Sequence, residues 1–168
     1  MGRRVIWATV FALIAAILQS TLLSRLEIYH AIPDLALGIL VFSAYNNGTM
    51  TGQLTGFFSG FLIDFLSAAP LGFNAFIRTM VGFLTGIMKG TFFLDIFFLP
   101  MALCAGATLV KALLVFLLHL LFAGAIPAYP LRGPTLWVEL LLNSLSAPIL
   151  FGFLKFFRSL LVMDQGDR

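Results

Sequence analysis

The stretch GQLTGFFSGFLIDFLSAAPLGFNAFIRTMVGFLTGIMKG, residues 52–90, decides the fold of this chain. It holds two runs of glycine at four-residue spacing around a short turn: Gly52, Gly56 and Gly60 lead to Asp64, and Arg78 leads to Gly82, Gly86 and Gly90. A four-residue step keeps side chains on one helix face, and small residues there let two helices approach closely in lipid. The pattern predicts a tightly packed helical hairpin, in which Asp64 and Arg78 lie at similar depth and interact near its closed end.

The composition is that of a membrane protein. Of 168 residues, 61% are hydrophobic and 10% are charged, whereas a soluble domain carries about 25% charged residues. The length predicts a single domain over residues 1–168. The net charge of +3 is interpreted as a signal of membrane orientation, because no basic patch with interleaved aromatic residues indicates nucleic-acid binding. A lone cysteine, Cys104, excludes an internal disulfide.

Six apolar segments follow one another along the chain, at residues 5–23, 32–45, 50–66, 73–88, 96–122 and 135–157. Their lengths and short connections predict an all-α integral membrane protein with six transmembrane helices and no extramembrane domain. The first segment could be mistaken for a signal peptide, but no small-residue cleavage site follows it. Pro33 and Asp34 open the second segment, as expected where proline occupies the first turn and aspartate faces the positive end of the helix dipole.

The loop charges predict the orientation. With a cytoplasmic N-terminus, the inner side carries six cations and the outer side two, in agreement with the positive-inside rule. The inner set is Arg3, Arg4, Lys89, Lys155, Arg158 and Arg168, and the outer set is Arg25 and Arg132. Six spans also place both termini in the cytoplasm and bring four ionisable residues near the outer face, namely Asp34, Asp64, Arg78 and Glu139.

Polar side chains within the apolar segments form a predicted cluster of Asp34, Asp64, Arg78, Lys111, Glu139 and Asn143. An unpaired lysine at the centre of a span costs about 3 kcal/mol, so Lys111 is expected to meet Glu139 or Asn143. His119 could join them. The cluster has two interpretations: a network that stabilises the bundle, which we favour, and a transport or ligand site.

No enzyme, metal site or cofactor is predicted. The spacings assemble no Ser-His-Asp set, phosphate-binding loop or pair of catalytic carboxylates. His30 and His119 lack the cysteine and carboxylate neighbours that a metal site requires.

A stripe of small residues, Ala8, Ala12 and Ala16, marks one face of the first segment. Alanine is common in membrane helices, which favours internal packing of this face. The alternative is that this face docks the transmembrane helix of a partner protein.

Three motifs together resemble the MreD family of bacterial rod shape-determining proteins: Pro33-Asp34-Leu35, then Gly52-x3-Gly56-Phe57-x2-Gly60-x3-Asp64, then Pro70-Leu71-Gly72-Phe73-Asn74-Ala75. These motifs cover about the first ninety residues, and the length and six-span layout extend the resemblance to the whole chain. The block GxxxGFxxGxxxD followed by PLGxNA is fairly specific, whereas the last two spans match by hydropathy alone.

The resemblance implies a non-enzymatic inner-membrane component of the elongasome, the machinery that synthesises peptidoglycan along the side wall. The implied partners are an MreC-like single-span protein, the actin-like MreB filament, RodA and the elongation transpeptidase, with membrane lipids around the spans. The layout is also similar to the six-span S-components of energy-coupling-factor vitamin transporters, which dock their transport partner through an alanine stripe on the first span. A substrate-binding subunit of such a transporter is therefore the alternative function.

The predicted topology can be tested with reporter tags. Tags at Gly2 and Arg168 should both report the cytoplasm, and a tag near Tyr129 should report the outer side, because six crossings return the chain to its starting side. Fusions to reporters that are active on one side of the membrane provide the measurement. A C-terminal tag that reports the periplasm would contradict the six-span topology.

Overall fold

The computed structural model describes residues 1–21, 31–67, 69–91, 97–122, 126 and 133–162. Regular structure in these residues consists of seven α-helices: α1 (Gly2–Thr21), α2 (Leu35–Asn47), α3 (Thr49–Leu66), α4 (Phe73–Ile87), α5 (Phe98–Leu121), α6 (Pro134–Phe156) and the short α7 (Arg158–Leu161). The first six helices correspond to the six apolar segments, and the all-α prediction is confirmed.

Length and hydropathy distinguish three long apolar helices from two short ones. Three of them, α1, α5 and α6, have 20, 24 and 23 residues and are long and apolar enough to cross a membrane. The apolar helices α2 and α4 have only 13 and 15 residues, or about 20 Å at 1.5 Å per residue, against a hydrocarbon core of about 30 Å. The described structure thus contains three candidate spans by this measure, and the count of six stays a prediction.

α3 and α4 are the most extensively packed pair of helices in the described structure. Each four-residue step forward along α3 is matched by a four-residue step back along α4, as expected of antiparallel helices that touch through one face. The facing pairs are Gly52 with Gly82, Gly56 with Arg78, Gly60 with Asn74, and Gly86 with Thr49. A Cβ atom at any of these glycines would lie less than 3.0 Å from backbone atoms of the other helix, so the hairpin requires glycine there.

Gly90 does not belong to this contact. It lies beyond the end of α4, and a Cβ atom built on it would meet nothing within 4 Å. Its φ of +72° is in the left-handed region, which glycine adopts without steric cost. The packing role that its spacing predicts is therefore wrong, because the helix ends before the third glycine and the residue forms the following turn.

α2 lies at the centre of the bundle. It contacts α1, α3, α4, α5 and α6, and ten of its 13 residues are buried. A helix that is apolar on all sides is expected to be surrounded by protein. The helix begins after Asp34, whose Oδ1 accepts the N–H of Leu37 as an N-cap. The cap therefore places a carboxylate among the other helices.

The alanine stripe of α1 faces the interior. Ala8 and Ala12 are fully buried and Ala16 is nearly so, and all three belong to the hydrophobic core. Since alanine side chains are small, α2 and α3 can pack closely against this face and cover it. The hypothesis that the stripe docks a partner is therefore wrong, and internal packing is the interpretation that holds.

One end of the bundle gathers the cations. Phe11, midway along α1, packs against Phe157 at the end of α6, with ring centroids 5.1 Å apart. Asn47 of α2 donates to the carbonyl of Leu161 in α7 at 2.6 Å. Arg3, Arg4, Lys89, Lys155 and Arg158 belong to this end, whereas the described acidic residues Asp34, Asp64 and Glu139 lie towards the other. The asymmetry agrees with the positive-inside rule, and the orientation itself stays a prediction.

Replacement of a single facing glycine should destabilise the hairpin. We expect Gly56→Ala to lower the free energy of unfolding by about 1–3 kcal/mol, because the new methyl group forces two backbones apart. The thermal midpoint of the detergent-purified protein measures this effect. Gly152→Ala in α6 is the matched control: its Cβ would meet nothing within 4 Å, and alanine is favoured over glycine in a helix by about 1 kcal/mol. Equal midpoints for the two variants would contradict the register.

Candidate functional site

Four helices contribute to a buried polar cluster, which we call the charge cluster. Its members share a position inside an otherwise apolar bundle and are connected by hydrogen bonds or ion pairs: Asp34 before α2, Arg78 of α4, Thr108 and Lys111 of α5, and Glu139 and Asn143 of α6. Because an ionised group is costly in an apolar environment, its stability depends on these partners.

Asp34 is the centre of the charge cluster. Arg78 Nη2 lies 3.0 Å from Asp34 Oδ1, and Lys111 Nζ lies 2.9 Å from Asp34 Oδ2. Oδ1 also accepts the N–H of Leu37 in its role as N-cap. The positive end of the α2 dipole adds to the two cations around the carboxylate. One side chain thus fixes the start of α2 and joins that helix to α4 and α5.

Lys111 extends the cluster to α6. Its Nζ lies 2.8 Å from Glu139 Oε1 as well as 2.9 Å from Asp34. Charges of opposite sign therefore alternate along the series Arg78, Asp34, Lys111 and Glu139, and two cations balance two anions. The Arg78 guanidinium keeps one nitrogen, Nη1, without a hydrogen-bond partner.

Asn143 joins the charged groups to a neutral hydrogen-bond chain. Its Oδ1 accepts the backbone N–H of Asp34 at 2.7 Å, and its Nδ2 donates to Thr108 Oγ1 at 2.9 Å. Thr108 Oγ1 in turn donates to the carbonyl of Cys104. The sequence reasoning missed Thr108, although its position three residues before Lys111 places both on one face of α5. That spacing is the signal that could have identified it.

Asp64 belongs to a different site. Its two carboxylate oxygens accept the backbone N–H groups of Gly72, Asn74 and Ala75 at 2.8–3.2 Å, and the side-chain amide of Asn74 at 2.9 Å. A carboxylate from α3 thus binds the free amides at the start of α4, where the helix dipole favours negative charge. The turn of the hairpin is held by four hydrogen bonds to one side chain.

The predicted Asp64–Arg78 pair is therefore wrong. Arg78 faces Gly56 across the hairpin, and Gly56 is eight residues, or about 12 Å, along α3 from Asp64. The amides of α4 are nearer to Asp64 than the guanidinium is, and Asp34 is the acid that reaches Arg78. The prediction rested on the axial offset of Asp64 and Arg78 from the turn. An axial offset does not include the direction in which each side chain leaves its helix, and here the two side chains point to different partners.

His119, which the sequence suggested as a further member of the cluster, has a different partner. His119 Nδ1 donates to the carbonyl of Ile126 at 2.8 Å, beyond the end of α5. His30 lies outside the described residues. Within the described part of the chain, no group of three His, Cys, Asp or Glu residues could hold a metal ion.

Between the described residues, the cavity beside the charge cluster is very small. The cavity beside Asp34, Cys104, Asn143 and Ser146 measures about 10 Å³, which is space for about one water molecule. Pockets for small-molecule ligands measure about 300–1,000 Å³. The larger described cavities lie between apolar side chains at the surface of the bundle. The observed contacts of the cluster connect helices to one another.

A double-mutant cycle tests the assignment of partners. Asp34→Asn keeps a good N-cap residue but removes the charge, and should destabilise the protein by about 3–5 kcal/mol because Arg78 and Lys111 lose their shared anion. Asp34→Asn with Arg78→Met should cost less than the sum of the single changes, with a coupling of about 0.5–3 kcal/mol. Unfolding in detergent with increasing denaturant measures each term.

The matched control is the cycle of Asp64→Asn and Arg78→Met. Since the two side chains bind different partners, their effects should add to within about 0.5 kcal/mol. Strong coupling in this second cycle, with additivity in the first, would restore the pairing that the sequence suggested and refute the one described above.

A family model described as rod shape-determining protein MreD matches residues 1–157. The chain therefore belongs to the MreD family, and the resemblance inferred from its motifs is confirmed. Membership supports a rod shape-determining role within the MreBCD system, and the apolar helices agree with a multi-pass inner-membrane protein. No curated protein and no solved structure matches the chain.

Proposed function

We propose that this member of the MreD family is a non-enzymatic scaffold of the elongasome, which holds an MreC-like single-span protein and so supports peptidoglycan synthesis along the side wall. MreB, RodA and the elongation transpeptidase are the further proposed members of the assembly. The match to the family over residues 1–157 carries the proposal. It is supported by the way the charged side chains are used: they bind one another inside the bundle.

Membrane insertion with both termini in the cytoplasm is part of this proposal. Six helices precede α7, of which α3 and α4 are antiparallel, and cations gather at the end of the bundle at which α1 begins. The short helices α2 and α4 need not span the full hydrocarbon thickness alone, because α2 is surrounded by other helices and α4 packs along α3. Irregular backbone at membrane depth is tolerated where protein covers it.

The transporter alternative has less support. A vitamin-binding subunit needs a pocket of about 300 Å³ or more, whereas the cavity between the described residues of the charge cluster measures about 10 Å³. The alanine stripe that would dock a transport partner is covered by α2 and α3. The polar cluster that would form the pocket and the alanine stripe that would dock the transport partner both make contacts within the protein instead.

The partner surface must be sought away from the residues first considered. Asp34 and Asp64 are 8% and 2% exposed, so neither can offer its carboxylate to a partner without breaking internal contacts. Most of the loop from Pro127 to Pro134, the other proposed contact, lies outside the described residues. The outward faces of the long helices are the surfaces that remain for a partner helix.

Depletion and complementation test the scaffold. Loss of the protein from its rod-shaped host should give rounded cells while vitamin uptake stays normal, because side-wall synthesis loses a component. Wild-type protein and Gly152→Ala should restore rods and co-purify the MreC-like partner. Asp34→Asn should restore rods and recover the partner less well than wild type. Both losses should follow the loss of folded protein, which is measured as the abundance of the variant in the membrane. Rods that survive complete depletion, together with a new vitamin requirement, would overturn the scaffold and decide for the transporter.

A further inference from the structure

A groove between α1 and α3 runs along the surface of the bundle. Its volume is about 400 Å³, and its walls are almost entirely apolar. The α1 wall consists of Gly2, Val5, Ile6, Thr9 and Val10, and the α3 wall of Leu54, Phe58, Phe61 and Leu62. From Gly2 to Val10 the groove extends about 12 Å along the axis, close to the depth of about 15 Å that one leaflet of hydrocarbon provides.

Arg3 lies beside this groove at the end where α1 begins, next to the wall residue Gly2. Arg3 is exposed, and it precedes Ile6 by three residues and Val10 by seven, a spacing that places all three on one face of α1. No described acidic residue lies at this end of the bundle, so the guanidinium is available to an anion from outside the described part of the protein. The groove thus combines apolar walls with a positive charge beside the end at which α1 begins.

We propose that the α1–α3 groove binds an anionic phospholipid, with one acyl chain between the helices and the phosphate on Arg3. A transmembrane helix could also cover the apolar walls, but its lipid-facing side chains would bring no anion to Arg3, whereas a phospholipid brings its phosphate. A flexible acyl chain can follow the narrow space. A zwitterionic headgroup carries its own cation beside the phosphate, whereas an anionic headgroup leaves the phosphate for Arg3. This inference goes beyond the proposed function and does not rest on it.

The test uses the fluorescence of a tryptophan in the groove wall, introduced by Phe58→Trp on α3. The chain has two tryptophans of its own, and Trp7→Phe with Trp137→Phe leaves the introduced one as the single reporter. The full-length protein is placed in vesicles that contain an equal minority fraction of either brominated phosphatidylglycerol or brominated phosphatidylcholine, since bromine quenches tryptophan on contact. One cation near the surface should favour the anionic lipid about fivefold, seen as correspondingly stronger quenching by the brominated phosphatidylglycerol.

Variants separate a site at Arg3 from a general attraction to the cationic end. Arg3→Gln should remove the preference, and Arg3→Lys should retain most of it. Arg158→Gln is the matched control, because Arg158 is exposed at the same end of the bundle but belongs to α7, which forms no part of the groove, whereas Arg3 belongs to the wall helix α1. Leu54→Phe, which narrows the groove, should weaken quenching by both lipids without a change in elution volume. Equal quenching by the two lipids in the parent, or equal loss in Arg3→Gln and Arg158→Gln, would overturn the proposal.

Discussion

The carboxylate of Asp34 is the constraint around which the helices are arranged. It binds Arg78 and Lys111 and caps α2 at the same time, so three helices must meet at one point, and Glu139 brings the fourth. An isolated ion in hydrocarbon is costly, and the cost is offset only when every charge has a partner. Any shift of one helix along its axis would separate a pair, which gives the bundle a fixed register.

The glycine contact determines which partner Arg78 can reach. Because Gly56 lets the backbone of α4 approach α3 at Arg78 itself, the arginine side chain leaves the hairpin towards α2 and the buried Asp34. Asp64, near the end of α3, then binds the free amides of α4. Asp64 therefore stabilises the turn of the hairpin, and Asp34 attaches the hairpin to α2.

The sequence predicted the parts of this structure that depend on local periodicity. Hydropathy located the first six helices to within about three residues at each end. The four-residue spacing identified every facing glycine, since a helix repeats its face on that scale, and failed only at Gly90, beyond the end of α4. The partner of Arg78 could not be predicted, because it depends on the direction of a side chain and on the depth of a helix that is distant in sequence. Ala8 and Ala12 were ambiguous for a related reason: a small-residue face packs equally well inside a protein or against a partner. Thr108 was missed because a threonine in an apolar run carries no charge to draw attention.

The order of the charged residues along the chain has a consequence for how the bundle is made. Within the charge cluster the signs run negative, positive, positive, negative from Asp34 through Arg78 and Lys111 to Glu139. If the helices enter the membrane in chain order, the running sum of these four charges never departs from neutrality by more than one unit. Within the charge cluster, the emerging chain therefore never has to carry two uncompensated charges of the same sign. Asp64, which lies outside the cluster, is bound by the amides at the start of α4. Synthesis of α6 removes the last uncompensated charge of the cluster and completes the balance.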